Sequence, residues 1–257
     1  MRKFNFARSL KRWRQRKSIS GVRYRLAKTL MERFDGCVQY GPLKGYRIPP
    51  SSTWGFLARP SMLLGIYEAQ LLPYIIEASK DCEDLVDIGA ADGFWGLGLI
   101  HAGLFRRGTL FEANSDAHAV LLEGAALNNL TEKVQIMGEA RDFVIANKLN
   151  STKALVLCDI EGSEFDVFSF ETIDALRHCH VIIELHDFML PDGAARREEM
   201  VRNFSKSHRV TIIGQGPRDV SSFKELAEMN DDERLLVASE SRAQAMEWLV
   251  ATPKEHQ

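Results

Sequence analysis

The stretch Leu85-Val86-Asp87-Ile88-Gly89-Ala90-Ala91-Asp92-Gly93-Phe94-Trp95-Gly96 decides the fold. Leu85, Val86 and Ile88 supply the apolar character of a short buried strand, and a helix opens at Phe94. Between them, Gly89 and Gly93 allow a sharp turn or the close approach of a ligand. A strand, a glycine-bearing turn and a helix, with an acid on the strand, make a corner that binds nucleotides or nucleosides.

Downstream of this corner, apolar runs alternate with helical patterns. The expected helices are Phe94–His101, Asp116–Asn128, Phe143–Leu149, Glu164–Leu176 and Ala194–Ser205. The expected strands are Gly108–Glu112, Val134–Met137, Ala154–Asp159, His180–Glu184 and Arg209–Ile213, with shorter ones at Leu235–Ala238 and Met246–Thr252. Such alternation implies right-handed βαβ units, hence an α/β fold with a mostly parallel, doubly wound sheet covered on both faces. The strands are apolar throughout rather than alternating, as strands buried on both faces are.

Upstream, Ser61–Ser79 has a helical apolar set, with Pro73 as an end or a kink. Gly36–Pro60 reads as loop with short strands near Tyr46-Arg47-Ile48, and Pro49-Pro50 excludes helix there. Residues 1–34 hold twelve Lys or Arg and one acid, Glu32, a local charge of +11; the rest of the chain carries −13. Phe6, Leu10 and Trp13 share one helical face, and Val22, Leu26, Leu30 and Phe34 another, on either side of a break expected at Ser18–Gly21. This basic helical arm suits an anionic surface, membrane or nucleic acid, or else packs on the domain or a partner chain. The division expected is residues 1–60 as arm and connecting loop, and 61–257 as the domain.

With 45% hydrophobic residues, the 257-residue chain can bury a sizeable core. The four cysteines, Cys37, Cys82, Cys158 and Cys179, have no metal-site spacing and read as free thiols. No apolar run reaches the length of a membrane span and the N-terminus lacks a signal-peptide core, so a cytoplasmic protein is expected, peripheral at the inner membrane face if the arm binds lipid.

The corner itself narrows the ligand. Asp92 in the turn would repel a pyrophosphate, which argues against a dinucleotide. Asp87 suits a ligand with an ammonium group, and Glu112, ending the second strand, can accept from both ribose hydroxyls. A nucleoside carrying an amino acid fits both acids.

Over roughly residues 60–255 the chain resembles the S-adenosylmethionine-dependent methyltransferases of Rossmann-like, class I fold. Asp87-Ile88-Gly89-Ala90-Ala91-Asp92-Gly93 is similar to their first motif, although Ala90-Ala91-Asp92 stands where the middle glycine is usual. Glu112-Ala113 matches the acid after their second strand, and Glu139-Ala140 the position that edges the adenine. Cys158-Asp159-Ile160-Glu161-Gly162-Ser163-Glu164 and Ile183-Glu184-Leu185-His186-Asp187 are similar to two signatures of the FkbM-type methyltransferases. The resemblance implies S-adenosyl-L-methionine as cofactor and O-methylation of a saccharide, glycolipid or secondary-metabolite hydroxyl. The implied cofactor residues are Asp87, Gly89, Ala90, Asp92, Gly93, Glu112, Ala113, Glu139, Ala140 and Asp159.

An alcohol needs a base to take its proton as the methyl group arrives, and His186 is the best candidate. Asp159, Glu161 and Glu184, at carboxyl ends of neighbouring strands, could orient it, act as base or hold a divalent metal, the last not favoured. Glu161 and Glu164 could instead cap the following helix, as Asp92 could cap its own. His178, His180 and His208 read as core or surface. Tyr67-Glu68 either roofs the pocket or packs, and Trp54 and Phe56 either line an entrance or pack. Asp231, Glu233, Glu240 and Arg242 read as solvated surface. Two alternatives compete with the O-methyltransferase: a nucleic-acid methyltransferase using the arm, and an inactive membrane- or partner-binding module on the same fold.

Overall fold

A computed structural model describes residues 4–141, 153–242 and 244–254, the side chains of 4–18 excepted. Seven strands form one sheet: β1 (Asp84–Ile88), β2 (Arg107–Phe111), β3 (Val134–Met137), β4 (Ala154–Cys158), β5 (His180–Leu185), β6 (His208–Gly214) and β7 (Glu247–Pro253). Their order is β3-β2-β1-β4-β5-β7-β6. The pairs among the first five are parallel, and β7 runs antiparallel to both β5 and β6. The expected doubly wound, mostly parallel α/β fold is therefore the one observed.

The central strands β1, β4 and β5 bury both faces, whereas the edge strands β3 and β6 stay partly exposed and β6 alternates, contrary to the uniform burial expected. Leu85, Leu155, Leu157, Ile182 and Val250 pack into one core, and Val86, Val156, Val181, Ile183 and Leu249 into the other. The helices supply the covering layers: α1 (Phe4–Phe34), α2 (Arg59–Leu63), α3 (Leu72–Ala78), α4 (Phe94–His101), α5 (Ser115–Leu127), α6 (Glu164–Val167), α7 (Phe170–Ala175), α8 (Gly193–Ser207) and α9 (Asp231–Ala238).

Several expectations need correction. α1 runs through Ser18–Gly21 without a break, because Gly21 alone does not stop a helix whose later turns are packed. Leu26 and Leu30 are buried in the same core as Leu85 and Leu97. The side chains of Phe6, Leu10 and Trp13 lie outside the described residues, as does the helix expected at Phe143–Leu149. Ser61–Ser79 is not one helix, since Glu68 takes a left-handed φ of 46°. Pro73 opens α3 instead of ending a helix, as its fixed φ and missing donor favour. Glu164–Leu176 divides where Ser169 caps α7 by accepting from the Thr172 N–H. Leu235–Ala238 belongs to α9, which begins in a capping box between Asn230 and Glu233. Around Tyr46 there is only an isolated bridge between Cys37 and Arg47.

Strand register positions the site. Ile88 stands level with Phe111 on one side and Cys158 on the other, and Cys158 with Ile183. The residues that follow, Gly89, Glu112, Asp159 and Glu184, therefore share one edge. The chain leaves β1 toward β2 on one side and returns to β4 on the other, and ligands of open α/β sheets bind where the order reverses in this way.

Candidate functional site

The turn after β1 is held by close backbone approach. Gly89 has φ +87°, and a Cβ there would lie 1.9 Å from the carbonyl oxygen of Asp159. Its N–H and that of Ala90 both donate to the Phe111 carbonyl at 2.9 Å, which locks the turn to β2. Asp87 is buried and accepts from the Gly96 N–H; burial raises its pKa to about 7. Glu112 accepts from the Ala91 N–H and from the Asn114 N–H, both at 2.8 Å, and keeps further lone pairs on each oxygen.

Asp92 does not cap α4, whose N-cap is Gly93 with no side-chain bond. It reaches back instead to the preceding loop, accepting from the Ser52 hydroxyl, from the Thr53 N–H at 3.0 Å and hydroxyl at 2.9 Å, and from the Trp54 N–H at 3.3 Å. Arg59, almost wholly buried, stands 3.8 Å away. Asp92 thus ties the turn to the loop that carries Trp54.

Three cavities open along this edge. The first, about 650 Å³, is walled by Gly89, Glu112, Ala113, Glu139, Ala140 and Asp159. A small one, about 80 Å³, lies among Tyr67, Glu68, Asp87, Ala90, Asp159 and Glu184, with Asp92 also in its wall. The third, about 510 Å³, is lined by Phe56, Phe188 and Met189 together with Asp159, Glu161 and His186. Asp159 and Trp54 border all three. Gly93 borders none; its Cα faces Leu97 and Leu121.

The acids expected after β4 and β5 do converge. His186 is 3% exposed, with Nε2 3.6 Å from Glu161, 3.7 Å from Asp159 and 4.0 Å from Glu184. Glu164 is not a helix cap: one oxygen accepts from the His186 N–H at 2.7 Å and the other from the Gly162 N–H at 2.8 Å. It positions both strand ends. Nor does Glu161 cap; its backbone is left-handed, with φ 53°, and its side chain is open to solvent. Burial lowers the His186 pKa, but the carboxylates of Glu164, Asp159 and Glu161 outweigh it and the net shift is upward. Burial raises both Asp159 and Glu184, and Asp159 raises Glu184 further.

Two of the four C-terminal charges are not solvated surface. Arg242 bonds Glu184 and Glu68 and, at 3.0 Å, Glu240, while its guanidinium stacks 5.0 Å from the Trp248 ring centre. Burial lowers its pKa, yet Glu68 and Glu184 raise it more. Glu240, 6% exposed, also accepts from Arg218 at 2.7 Å and from the Glu68 N–H at 2.9 Å. Glu68 accepts from the Trp95 indole at 2.8 Å, so Tyr67-Glu68 lines the small cavity. Asp231 is exposed and Glu233 serves the α9 capping box. The signal for Arg242 was indirect: a strand end buried with Glu184 needs a cation, and β7 begins five residues after Arg242. His208 bonds the carbonyls of Leu176 and Cys179, and His180 stands 3.7 Å from Asp81, both away from the cavities.

No known protein family matches the chain, nor does any curated protein. Solved structures to which the chain is similar include an rRNA methylase from Streptococcus thermophilus, 9% identical, covering 73% of this chain and 98% of that one at a TM-score of 0.48. Precorrin-6y C5,15-methyltransferase from Geobacter metallireducens is 10% identical over 72% of this chain and 88% of its own, at 0.47. Precorrin-8w decarboxylase from Methanobacterium thermoautotrophicum is 14% identical over 72% and 90%, at 0.46.

Proposed function

We propose that the protein is an S-adenosylmethionine-dependent O-methyltransferase acting on a hydroxyl of a saccharide, glycolipid or related small molecule. The observation that carries this reading is the position of Asp159, in the wall of all three cavities at once. A nucleoside in the first cavity and an acceptor in the third would meet there.

The residues present fit the cofactor. Asp87 is a buried acid with one backbone donor, which an ammonium group would complete. Glu112 retains lone pairs for two ribose hydroxyls, and Glu139-Ala140 borders the same first cavity. When bound, the cofactor supplies a methyl group on a sulfonium leaving group. The acceptor oxygen would give its proton to a base of the Asp159, Glu161 and His186 cluster as it takes the methyl group, the S–CH₃ electron pair remaining on sulfur. Trp54, Phe188 and Met189, 47%, 48% and 51% exposed, offer apolar faces around a mouth floored with carboxylates, a combination that suits a sugar ring.

Isothermal titration with S-adenosylhomocysteine and with NAD tests the cofactor; binding of NAD alone would overturn the reading. Incubating glycan, lipid and RNA fractions with radiolabelled S-adenosylmethionine tests the acceptor. Label in glycan or lipid is expected, and label confined to RNA would replace the hydroxyl acceptor with a nucleic acid.

A further inference from the structure

Six side-chain polar atoms among the described residues are buried without a hydrogen-bond partner, and two of them belong to carboxylates near His186 Nε2: Asp159 Oδ1 and Glu184 Oε2. His186 Nδ1, also unpaired, stands 3.5 Å from Glu164 Oε1, which leaves Nε2 toward those two carboxylates. Leaving such groups unmade costs about 1–3 kcal/mol each, more where they are charged. Glu184 and His186 are 2% and 3% exposed, so water does not freely satisfy them.

We propose that Asp159, Glu184 and His186 form a binding site for a divalent transition-metal cation. Each offers one ligand atom, and these atoms all lie within 4.8 Å of one another. The separations of 3.7 Å from His186 Nε2 to Asp159 Oδ1 and 4.0 Å to Glu184 Oε1, the oxygen that Arg242 also holds, are too long for hydrogen bonds and leave Glu184 Oε2 free. They are close to the spacing of about 3–3.5 Å between neighbouring ligands on a small cation bound at about 2.1 Å. Small side-chain rotations would close the difference.

Charge balance points the same way. Asp159, Glu161 and Glu184 converge on this point, and among the described residues the guanidinium that pairs with Glu184 is Arg242, which also serves Glu68 and Glu240. One imidazole with two carboxylates favours Mn²⁺, Fe²⁺ or Zn²⁺ over Ca²⁺. Asp159, Glu184 and His186 all face the third cavity, and two of them also the small one. This placement deepens the methyltransferase reading and rests on it for its purpose: the cation would polarise the acceptor hydroxyl. With His186 engaged as a ligand, the acceptor proton passes to Glu161, 3.6 Å from Nε2 and open to solvent.

The test is titration of Mn²⁺ alone into chelator-treated, full-length protein, followed by the loss of the free-ion paramagnetic resonance signal. One site per chain is expected, with affinity reduced at least about tenfold in both Asp159→Asn and His186→Gln. No uptake by the unaltered protein, or equal uptake by all three proteins, would overturn the proposal. Thermal melts of the unaltered protein need no variant: Mn²⁺ should raise the midpoint more than Ca²⁺, and an equal or absent rise would count against the site. S-adenosylhomocysteine binding is measured separately without metal. Its persistence in protein that takes up no Mn²⁺ would remove the cation site and leave the methyl-donor reading standing; Mn²⁺ uptake without it would do the reverse.

Discussion

Asp87 shows how burial can prepare a residue for a charged ligand. Its carboxyl is raised to about 7 in the free protein, while pairing with an ammonium group needs the ionised form. Affinity for S-adenosylhomocysteine should therefore rise from about pH 6 to about pH 8 and then flatten, and Asp87→Asn should weaken it about tenfold and abolish the slope, as calorimetry can read. The sign for stability is opposite. An acid whose folded pKa is raised stabilises the fold at low pH and loses that contribution as pH climbs through 7. The unliganded protein should then melt lower at about pH 8 than at about pH 5, with part of the difference removed in Asp87→Asn. Gly89 carries a different burden. Its positive φ and the 1.9 Å approach of the Asp159 carbonyl leave no room for a methyl group. Gly89→Ala should cost about 2 kcal/mol or more in denaturant unfolding.

The strands and the turn after β1 were legible because each rests on local signals: continuous apolar runs, glycines, and acids just beyond strand ends. His186, Asp159, Glu161 and Glu184 were legible for the same reason. Arg242 was not, because its partners Glu184 and Glu68 lie 58 and 174 residues away and nothing in its own neighbourhood announces burial. The cap readings of Asp92 and Glu164 fail for a similar reason. An acid ahead of a helix looks like a cap, and only the folded loops show that each fastens a different segment. The segment between α9 and β7 thus serves the site as much as the strand ends do. Arg242→Met should destabilise the protein by about 3 kcal/mol near pH 8, since it leaves Glu184 and Glu68 buried without their cation. The loss should shrink near pH 5, where the acids can protonate, and denaturant unfolding at the two pH values measures both.

Taken as a whole, the molecule joins its N-terminal helix to the domain. Leu26 and Leu30 are core residues, and Arg23 and Arg33 bond backbone carbonyls of Ser239 and Glu225. Among the described residues no helix is long and apolar enough to cross a membrane. We propose that any anionic partner is met by residues 1–18, which hold most of the arm's basic side chains. Removal of 1–18 should abolish sedimentation with anionic vesicles, whereas removal of 1–34 should unfold the protein, since Leu26 and Leu30 are core residues and each deleted core leucine costs about 2–5 kcal/mol. Equal vesicle binding before and after the shorter truncation would exclude the membrane role. The bonds from Asp92 to residues 52–54 have a consequence for descent. Trp54 cannot drift freely, because a change that shifts its loop also loosens the corner on which the other half of the site is built. Phe188 and Met189 border the same cavity half-exposed, but the Met189 N–H donates to the His186 carbonyl at 2.9 Å, so their backbone is fastened as well. Divergence in what the mouth admits should therefore accumulate in side chains, while the two backbone segments that carry them are inherited with the strand ends they fasten.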